Sequence, residues 1–320
     1  MILAGDLGGT KANLGLFELR QGKPVRVAHK RYSTEDHAGL QEIAQDFIRE
    51  NGVKVTASSF GIAGPVVNNR VQATNFPWIV DGAAMAKFLG LARVPLINDL
   101  EATGYGIGVL EPRDLETIYP GVPAPHATRV VIAAGTGLGE SILYWDGKEH
   151  VPIATEAGHA DFAPSTEQQA DLWKFLKQRT KFVSSENVLS GGGFQRIHEF
   201  LNGAVRHPAF DDTTVDPAPE ITQRGLSGEC PVCAAALDLW VEIYGSEAGN
   251  LALRAVSRGG IYVAGGIAVK ILPKLKDGRF AEAVRHKEKL GEYLAKIPIY
   301  VVLNEECPLM GAAFVAMTQS

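Results

Sequence analysis

The sequence predicts an α/β protein made of two units of similar plan. The first observation is a buried-strand run ending in a Gly/Thr turn, Ile2-Leu3-Ala4-Gly5-Asp6-Leu7-Gly8-Gly9-Thr10, after which apolar residues return at Leu14, Leu16 and Leu19. The second is its echo, Val131-Ile132-Ala133-Ala134-Gly135-Thr136-Gly137-Leu138-Gly139, followed by Ile142, Leu143, Tyr144 and Trp145. Each reads as a β-hairpin. The third is that short strand runs alternate with helical periodicity after each hairpin, the pattern of a layered α/β domain. The hairpins start roughly 130 residues apart, too far for a short-period solenoid, and 320 residues suffice for two domains with full cores.

Taken in order, a third strand is expected over Val25–Tyr32, after the Gln21-Gly22-Lys23-Pro24 turn. Leu40, Ile43, Ala44, Phe47 and Ile48 fall at helical spacing, so Gly39–Glu50 reads as an amphipathic helix ended by Asn51-Gly52. Short strands are expected at Ser58–Ala63 and Val71–Thr74, then a loop at Asn75-Phe76-Pro77-Trp78. Asp81 caps a helix that Gly90 stops. Val94–Ile97 reads as a strand ending in Asn98-Asp99, with a helix from near Glu101. Glu111–Thr128, rich in Pro and Gly, reads as a surface connection.

In the second half, Ser165 with Gln168 resembles a capping box before Leu172, Phe175 and Leu176. Ser190-Gly191-Gly192-Gly193 precedes a helix with Phe194, Ile197, Phe200 and Leu201, and Asn202–Pro219 reads as a loop. Cys230 to about Val256 is one long helix, with Leu237, Val241, Tyr244, Ala248, Leu251 and Ala255 on one face. Gly260–Ala264 is a buried strand that Gly265-Gly266 turns into a helix at Ala268–Leu275. Pro298–Leu303 is the last strand and Pro308–Met317 the last helix.

Bulk composition narrows the function. Hydrophobic residues make up 46% and charged residues 21%, an ordinary globular balance. The net charge of −5 argues against a nucleic-acid surface. Apolar runs are strand-sized, so no membrane span is expected. The chain opens directly on a strand rather than on a basic, then apolar, leader, so the cytoplasm is the expected location. Three cysteines, Cys230, Cys233 and Cys307, make no disulfide framework. Cys230-Pro231-Val232-Cys233 has redox or half-zinc spacing, but no second pair accompanies it, and the plainer expectation is inert thiols at a helix start.

The turns carry the first chemical signal. Glycine admits positive φ and leaves no side chain between backbone and ligand, and successive bare N–H groups make an anion nest. Either turn alone is better read as a tight, ligand-free hairpin turn. Two of them, one containing Asp6, point to a polyphosphate gripped from two domains. There is no Gly-x-x-x-x-Gly-Lys-Ser/Thr motif, and Gly135–Gly139 leads into a strand without Gly-x-Gly-x-x-Gly spacing, so P-loop and dinucleotide readings fail.

Asp99 ends a strand where α/β proteins bind ligands, and a carboxylate there can accept a proton from a hydroxyl. Equally, it can cap the following helix. Glu156-Ala157-Gly158-His159 and Ser185-Glu186 place two carboxylates and an imidazole in loops, a set suited to neighbouring hydroxyl groups. A metal competes for such donors, but no i, i+4 histidine pair supports zinc.

Taken together, these stretches resemble the bacterial glucokinase family of the hexokinase and actin-like ATPase superfamily. The resemblance rests on Gly5-Asp6-Leu7-Gly8-Gly9-Thr10, Thr74-Asn75, Ile97-Asn98-Asp99, Gly135-Thr136-Gly137-Leu138-Gly139, Glu156-Ala157-Gly158-His159-Ala160-Asp161-Phe162, Glu186-Asn187-Val188-Leu189-Ser190-Gly191, Gly249-Asn250-Leu251-Ala252-Leu253 and Ala264-Gly265-Gly266-Ile267, spread in family order along the chain. The Cys-rich zinc motif of the repressor-kinase branch is absent. The resemblance implies a two-lobed, ribonuclease H-like sugar kinase fold, with small (1–109 plus 304–320) and large (110–303) α/β domains around a cleft. It implies ATP-dependent phosphorylation of glucose, with a kinase of another hexose or a non-catalytic sugar sensor as the alternatives, and places Asp99 as base and Asn75, Asn98, Glu156, His159 and Glu186 on the sugar. Gly5, Asp6, Leu7, Gly8, Gly9 and Thr10, with Gly135, Thr136, Gly137 and Gly139, are implied to hold the phosphates. Gly265 and Gly266 approach the adenosine, and Asp6 lies near Mg²⁺ through water. The implied partners are a sugar and a nucleotide, with no nucleic acid or membrane, in a homodimer.

Overall fold

The computed structural model describes residues 1–72, 78–203 and 216–319. The chain divides into two compact units, residues 1–112, 146–154 and 304–320 in one and residues 113–145 and 155–303 in the other. Among the described residues no helix is long and apolar enough to cross a membrane.

The first unit opens with the expected hairpin: β1 (Ile2–Leu7) pairs antiparallel with β2 (Lys11–Arg20), and β3 (Lys23–Ser33) adds beyond it. Helix α1 (Leu40–Asn51) ends at Gly52, whose φ of 60° is left-handed. Strand β4 (Ala57–Ile62) runs parallel to β1. Three two-residue strands follow, β5 (Val66–Val67), β6 (Arg70–Val71) and β7 (Val80–Asp81), so the strand expected to reach Thr74 ends at Val71, before residues 73–77, which lie outside the described ones. Helix α2 (Gly82–Leu89) is capped by Asp81 and stopped by Gly90, as the sequence predicts.

Strand β8 (Leu96–Asn98) leads directly into α3 (Asp99–Ile107), which starts two residues before the expected Glu101. Asn69 fixes this junction from the side: its Nδ2 donates to Val94 O at 3.0 Å and its Oδ1 accepts Leu96 N–H at 2.7 Å. The sheet order is β3-β2-β1-β4-β8, and β1, β4 and β8 are parallel, so Leu7, Ile62 and Asn98 lie in one row at their carboxyl ends.

One sheet face packs on α1 and α2 around Phe47, Phe60 and Ile43. The last helix of the chain covers the other, through Leu309, Ala312, Ala313 and Ala316 against Ile2, Ala4 and Phe17. That helix also meets α3 nearly backbone to backbone. A Cβ on Gly311 would lie 1.8 Å from Ala102 O, and one on Gly106 2.1 Å from Cys307 O. Glycine is required at both positions for the helices to approach this closely. The result holds α3, and with it Asp99, against the sheet.

The second unit begins with β9 (Leu115–Tyr119), a strand where a structureless connection was expected. It pairs antiparallel with the final strand at the sheet edge, which satisfies its backbone although its side chains are only half-buried. The second hairpin follows as predicted, β10 (Arg129–Ala134) with β11 (Leu138–Trp145). Strand β12 (His150–Ala154) falls with the first unit. Helix α4 (Glu167–Lys177) is capped by Thr166, which accepts Gln169 N–H, rather than by the expected Ser165. Ser165 instead donates its N–H and hydroxyl to the buried Gln169 side chain. The N-cap is shifted by one residue, and the Gln169 side chain reaches back to Ser165 N–H rather than to that of the cap.

Helices α5 (Ser185–Val188), α6 (Gly191–Leu201), α7 (Ala218–Ser227) and α8 (Pro231–Ala255) come next. Helix α7 starts inside the expected 202–219 loop, most of which (204–215) lies outside the described residues. Strand β13 (Gly260–Ala264) leads to α9 (Gly266–Lys270) and α10 (Leu272–Leu275), with Ile271 between them. Then come α11 (Arg279–Arg285), α12 (Gly291–Leu294) and β14 (Ile299–Val302), and the first unit takes back the chain with α13 (Cys307–Gln319). Strands β10, β13 and β14 are parallel neighbours. The core beneath them is an aromatic stack on α8, Trp240 and Tyr244, against Phe194 and Phe280.

Candidate active site

In the first unit, candidate groups gather at the carboxyl ends of β1, β4 and β8. Asn98 is the N-cap of α3. Its Oδ1 accepts Leu100 N–H at 2.8 Å, its Nδ2 donates to Gly64 O at 3.1 Å, and its own N–H is taken by Glu101 Oε2 at 2.8 Å. This is a reciprocal capping box, so the cap is Asn98 and not Asp99. Burial raises the Glu101 pKa against the opposing pull of the Asn98 N–H. Asp99 is thereby left as the first helical residue, half-buried, with Oδ1 accepting Leu100 N–H at 3.0 Å. A helix N-terminus suits an anionic side chain.

Asp6 sits in a row of polar side chains across three strands. In register, Asp6 pairs with Asn13 and Asn13 with Arg31. Asn13 Nδ2 donates to Asp6 Oδ2 at 3.2 Å and Arg31 Nε to Asn13 Oδ1 at 2.9 Å. Burial pushes the Asp6 carboxyl above its usual range, while Asn13 and the Arg31 charge pull it back. The sequence reading missed Asn13 and Arg31, although counting outward from the Gly8-Gly9 turn pairs Asp6 with Asn13.

The turn itself, Gly8, Gly9 and Thr10, is closed by Gly8 N–H on Lys11 O at 2.8 Å and tied to the fully buried Thr34, whose hydroxyl donates to Gly9 O at 2.7 Å. Gly5 lies in the strand, where a Cβ would meet the Phe60 ring at 2.4 Å, and Leu7 is core. Their side-chain positions serve packing.

The second unit brings its candidates together by backbone stitching. Phe162 N–H donates to Val183 O at 3.0 Å and Ser185 N–H to Ala160 O at 2.9 Å. Ser184 and Asn187 cap α5 reciprocally. These bonds fix Glu186 beside the Ala157–His159 turn. Glu186 Oε2 accepts Leu138 N–H at 3.0 Å, and Glu186 Oε1 lies 3.9 Å from His159 Nδ1, beyond hydrogen-bond distance. Glu156 and His159 are both exposed. Gly158 permits the packing, since a Cβ there would lie 2.0 Å from Leu138 O.

One expectation about the turns is corrected. Gly8, Gly9, Gly135, Gly137 and Gly139 are not among the residues with positive φ. Gly137 is needed for space: its Cβ would lie 2.4 Å from Glu186 Oε2. Gly135 has open space, and its N–H closes the turn on Gly137 O at 2.8 Å. Thr136 sits between them. At the end of neighbouring β13, Gly265 does take a positive φ, 88°, and a Cβ would meet Ala134 O at 2.6 Å; Gly266 has open space. The start of α6 joins this edge through Gly191 N–H on Gly135 O at 2.9 Å. Asn75 lies outside the described residues.

Comparison with known structures shows the fold. A glucokinase from an Antarctic psychrotroph aligns with a TM-score of 0.87 and 27% identity over 99% of both chains. A structure of a ROK family glucokinase from Streptomyces griseus in complex with glucose and AMPPNP shares the fold at a TM-score of 0.68 and 19% identity, over 99% of both chains. The class is therefore an α/β hexose kinase. Its particular branch follows from sequence: the Glucokinase family model matches residues 3–319, and a Glucokinase of Nostoc sp. is 37% identical over 99% of this chain and 98% of its own. This chain belongs to the glucokinase family.

Proposed function

We propose that this chain transfers the γ-phosphoryl group of ATP to the 6-hydroxyl of glucose, giving glucose 6-phosphate and ADP. The observation that carries this reading is the double engagement of Glu186, which holds the Gly135–Gly139 turn through Leu138 N–H and faces His159 with its other oxygen. A sugar-binding carboxylate and a phosphate turn are thereby parts of one construction.

Asp99 accepts the proton of the 6-hydroxyl. That role is supported by the position of Asp99 at the carboxyl end of β8, with the capping of α3 falling to Asn98. Glu156, His159 and Glu186, with Asn98 and Asn75, hold the remaining hydroxyls. Backbone N–H groups of the turns at Gly8–Thr10 and Gly135–Gly139 face the phosphates, and Gly265 and Gly266 leave room for adenosine. The reaction requires placement and charge neutralisation more than covalent help. Asp6 has the hard oxygen donor that Mg²⁺ takes, held in orientation by Asn13. When bound, Mg²⁺ supplies neutralisation of the phosphate charge. By family resemblance the enzyme is a cytoplasmic homodimer, which sedimentation velocity tests. ATP is supported by the AMPPNP of the Streptomyces griseus structure and glucose by the name of the Nostoc relative.

The deciding experiment is a coupled assay of the purified chain over a panel of hexoses and donors. Glucose with ATP should give the highest kcat/KM. A higher value for another hexose, or for ADP or polyphosphate as donor, overturns the assignment.

A further inference from the structure

The Cys-x-x-Cys at the start of α8 has a third member that sequence spacing could not show. His198, in the last turn of α6, brings a ring nitrogen to the two sulfurs, and the three donor atoms all lie within 4.8 Å of one another. Among the described residues this is the group of three whose donors converge in this way. We propose that His198, Cys230 and Cys233 form a binding site for one zinc ion, with water as the fourth ligand.

The local fold prepares the arrangement. Cys230 is the N-cap of α8, Pro231 the first helical residue, and Cys233 the third, so both sulfurs lie on one side of the first turn. Cys233 N–H already donates to Cys230 Sγ at 3.4 Å, the kind of amide contact that orients a thiolate ligand. Helices α6 and α7 both pack on α8, α6 bringing His198 to the two sulfurs and α7 setting Gly225 so close that a Cβ there would lie 2.9 Å from Cys233 O.

Tetrahedral zinc has Zn–S of about 2.3 Å and Zn–N of about 2.0–2.1 Å, which places its donors about 3.5–3.8 Å apart. Donors within 4.8 Å reach that spacing by closing about 1 Å, within the range of a cysteine χ1 adjustment. Two sulfurs and one imidazole select zinc or cobalt, while Mg²⁺ seeks hard oxygen donors. The ion of phosphoryl transfer therefore does not compete here. Cys233 and His198 are buried and Cys230 is half-exposed, so access and the open fourth position lie on the Cys230 side. Bound zinc ties the end of α6 to the start of α8. The other end of α6 is bonded to the phosphate turn through Gly191 and Gly135.

Cobalt is the probe, because a thiolate ligand gives it a near-ultraviolet charge-transfer band that an oxygen-only site cannot. The reduced, tag-free full chain should show this band saturating at one equivalent of Co²⁺. Zn²⁺ should abolish it, and excess Mg²⁺ should leave it unchanged. Cys230→Ser, with kinase activity retained as the check on folding, should lose the band; His198→Asn should weaken cobalt binding at least tenfold; and Cys307→Ser should match wild type. No band in fully reduced protein, or a band that survives Cys230→Ser, overturns the proposal. So does a thiol count showing that Cys230 and Cys233 are joined as a disulfide under the same reducing conditions.

Discussion

Glu186 accepts the N–H of Leu138 at 3.0 Å, joining residues 48 positions apart in the chain. The bond makes the conformation of the Gly135–Gly139 turn depend on a carboxylate whose other oxygen faces His159. A hydrogen bond to a charged group contributes about 1.5–3 kcal/mol, enough to fix a short turn. It also explains why glycine stands at 137, where a side chain would occupy the carboxylate's place.

Gly137→Ala therefore displaces Glu186 rather than straining the backbone. The KM values for glucose and ATP should rise together, each about tenfold, in steady-state assays. Gly135→Ala is the contrast, because its Cβ meets no protein atom within 4 Å and its φ is not positive. That variant should keep its thermal midpoint and its glucose KM while its ATP KM rises several-fold. A normal ATP KM in Gly135→Ala removes Gly135 from the phosphate site.

Glu186→Gln and Glu186→Ala should separate the two duties of the side chain. Glutamine retains an acceptor for Leu138 N–H but loses the charge proposed to bind hydroxyls. Its glucose KM should rise on the order of ten- to a hundredfold with the ATP KM within about twofold. Alanine loses both, so both KM values should rise. Unchanged glucose kinetics in Glu186→Gln would remove this residue from the sugar site.

Glu140, one residue beyond the turn, gives stability a pH dependence. It is fully buried, and burial, then the Glu247 charge, raise its pKa from 4.5 to about 8, with Arg254 opposing. Below the ordinary value both folded and unfolded chains hold the proton, and its contribution to stability is complete. As pH rises the unfolded chain releases the proton first, so stability falls until the folded carboxyl also ionises near pH 8. At about 1.4 kcal/mol per pKa unit the loss is on the order of a few kcal/mol. Glu140→Gln copies the protonated form and should flatten the decline of the melting temperature between pH 5 and pH 8, measured by calorimetry. An equally steep decline in the variant assigns the slope to other groups.

Both hairpins were legible because each combines a local turn signal with buried runs on either side, and neither needs long-range information. Strand β9 was hidden for the opposite reason. Four of its five residues are half-buried and Thr117 is exposed, at a sheet edge, and only pairing with β14, far along the chain, makes them a strand. The α4 cap moved from Ser165 to Thr166 because two adjacent hydroxyl residues both satisfy the pattern, and the choice falls to the buried Gln169. The candidate residues themselves could be named from sequence, apart from Asn13 and Arg31. The coupling of Glu186 to Leu138 could not, since it is a tertiary contact, and for the same reason His198 was not named at all: only the fold brings it to Cys230 and Cys233.

Asp99 separates catalysis from structure most cleanly. Spacing alone left it equally a base or a cap, and the fold assigns the cap to Asn98 through Leu100 N–H and the reciprocal Glu101 bond. Asn98→Ala should therefore cost about 0.5–2 kcal/mol of stability, the usual scale for a lost N-cap, and lower the melting temperature. Asp99→Asn should not, since asparagine keeps an oxygen for Leu100 N–H at the same position. What asparagine cannot do is take a proton. Its kcat should fall about 10²-fold or more, with the fold, the ATP KM and most of the glucose affinity retained. A melting temperature equal to wild type alongside a collapsed kcat is the expected pair of results. Near-wild-type turnover in Asp99→Asn would falsify the assignment of Asp99 as the base, whatever the stability measurement shows.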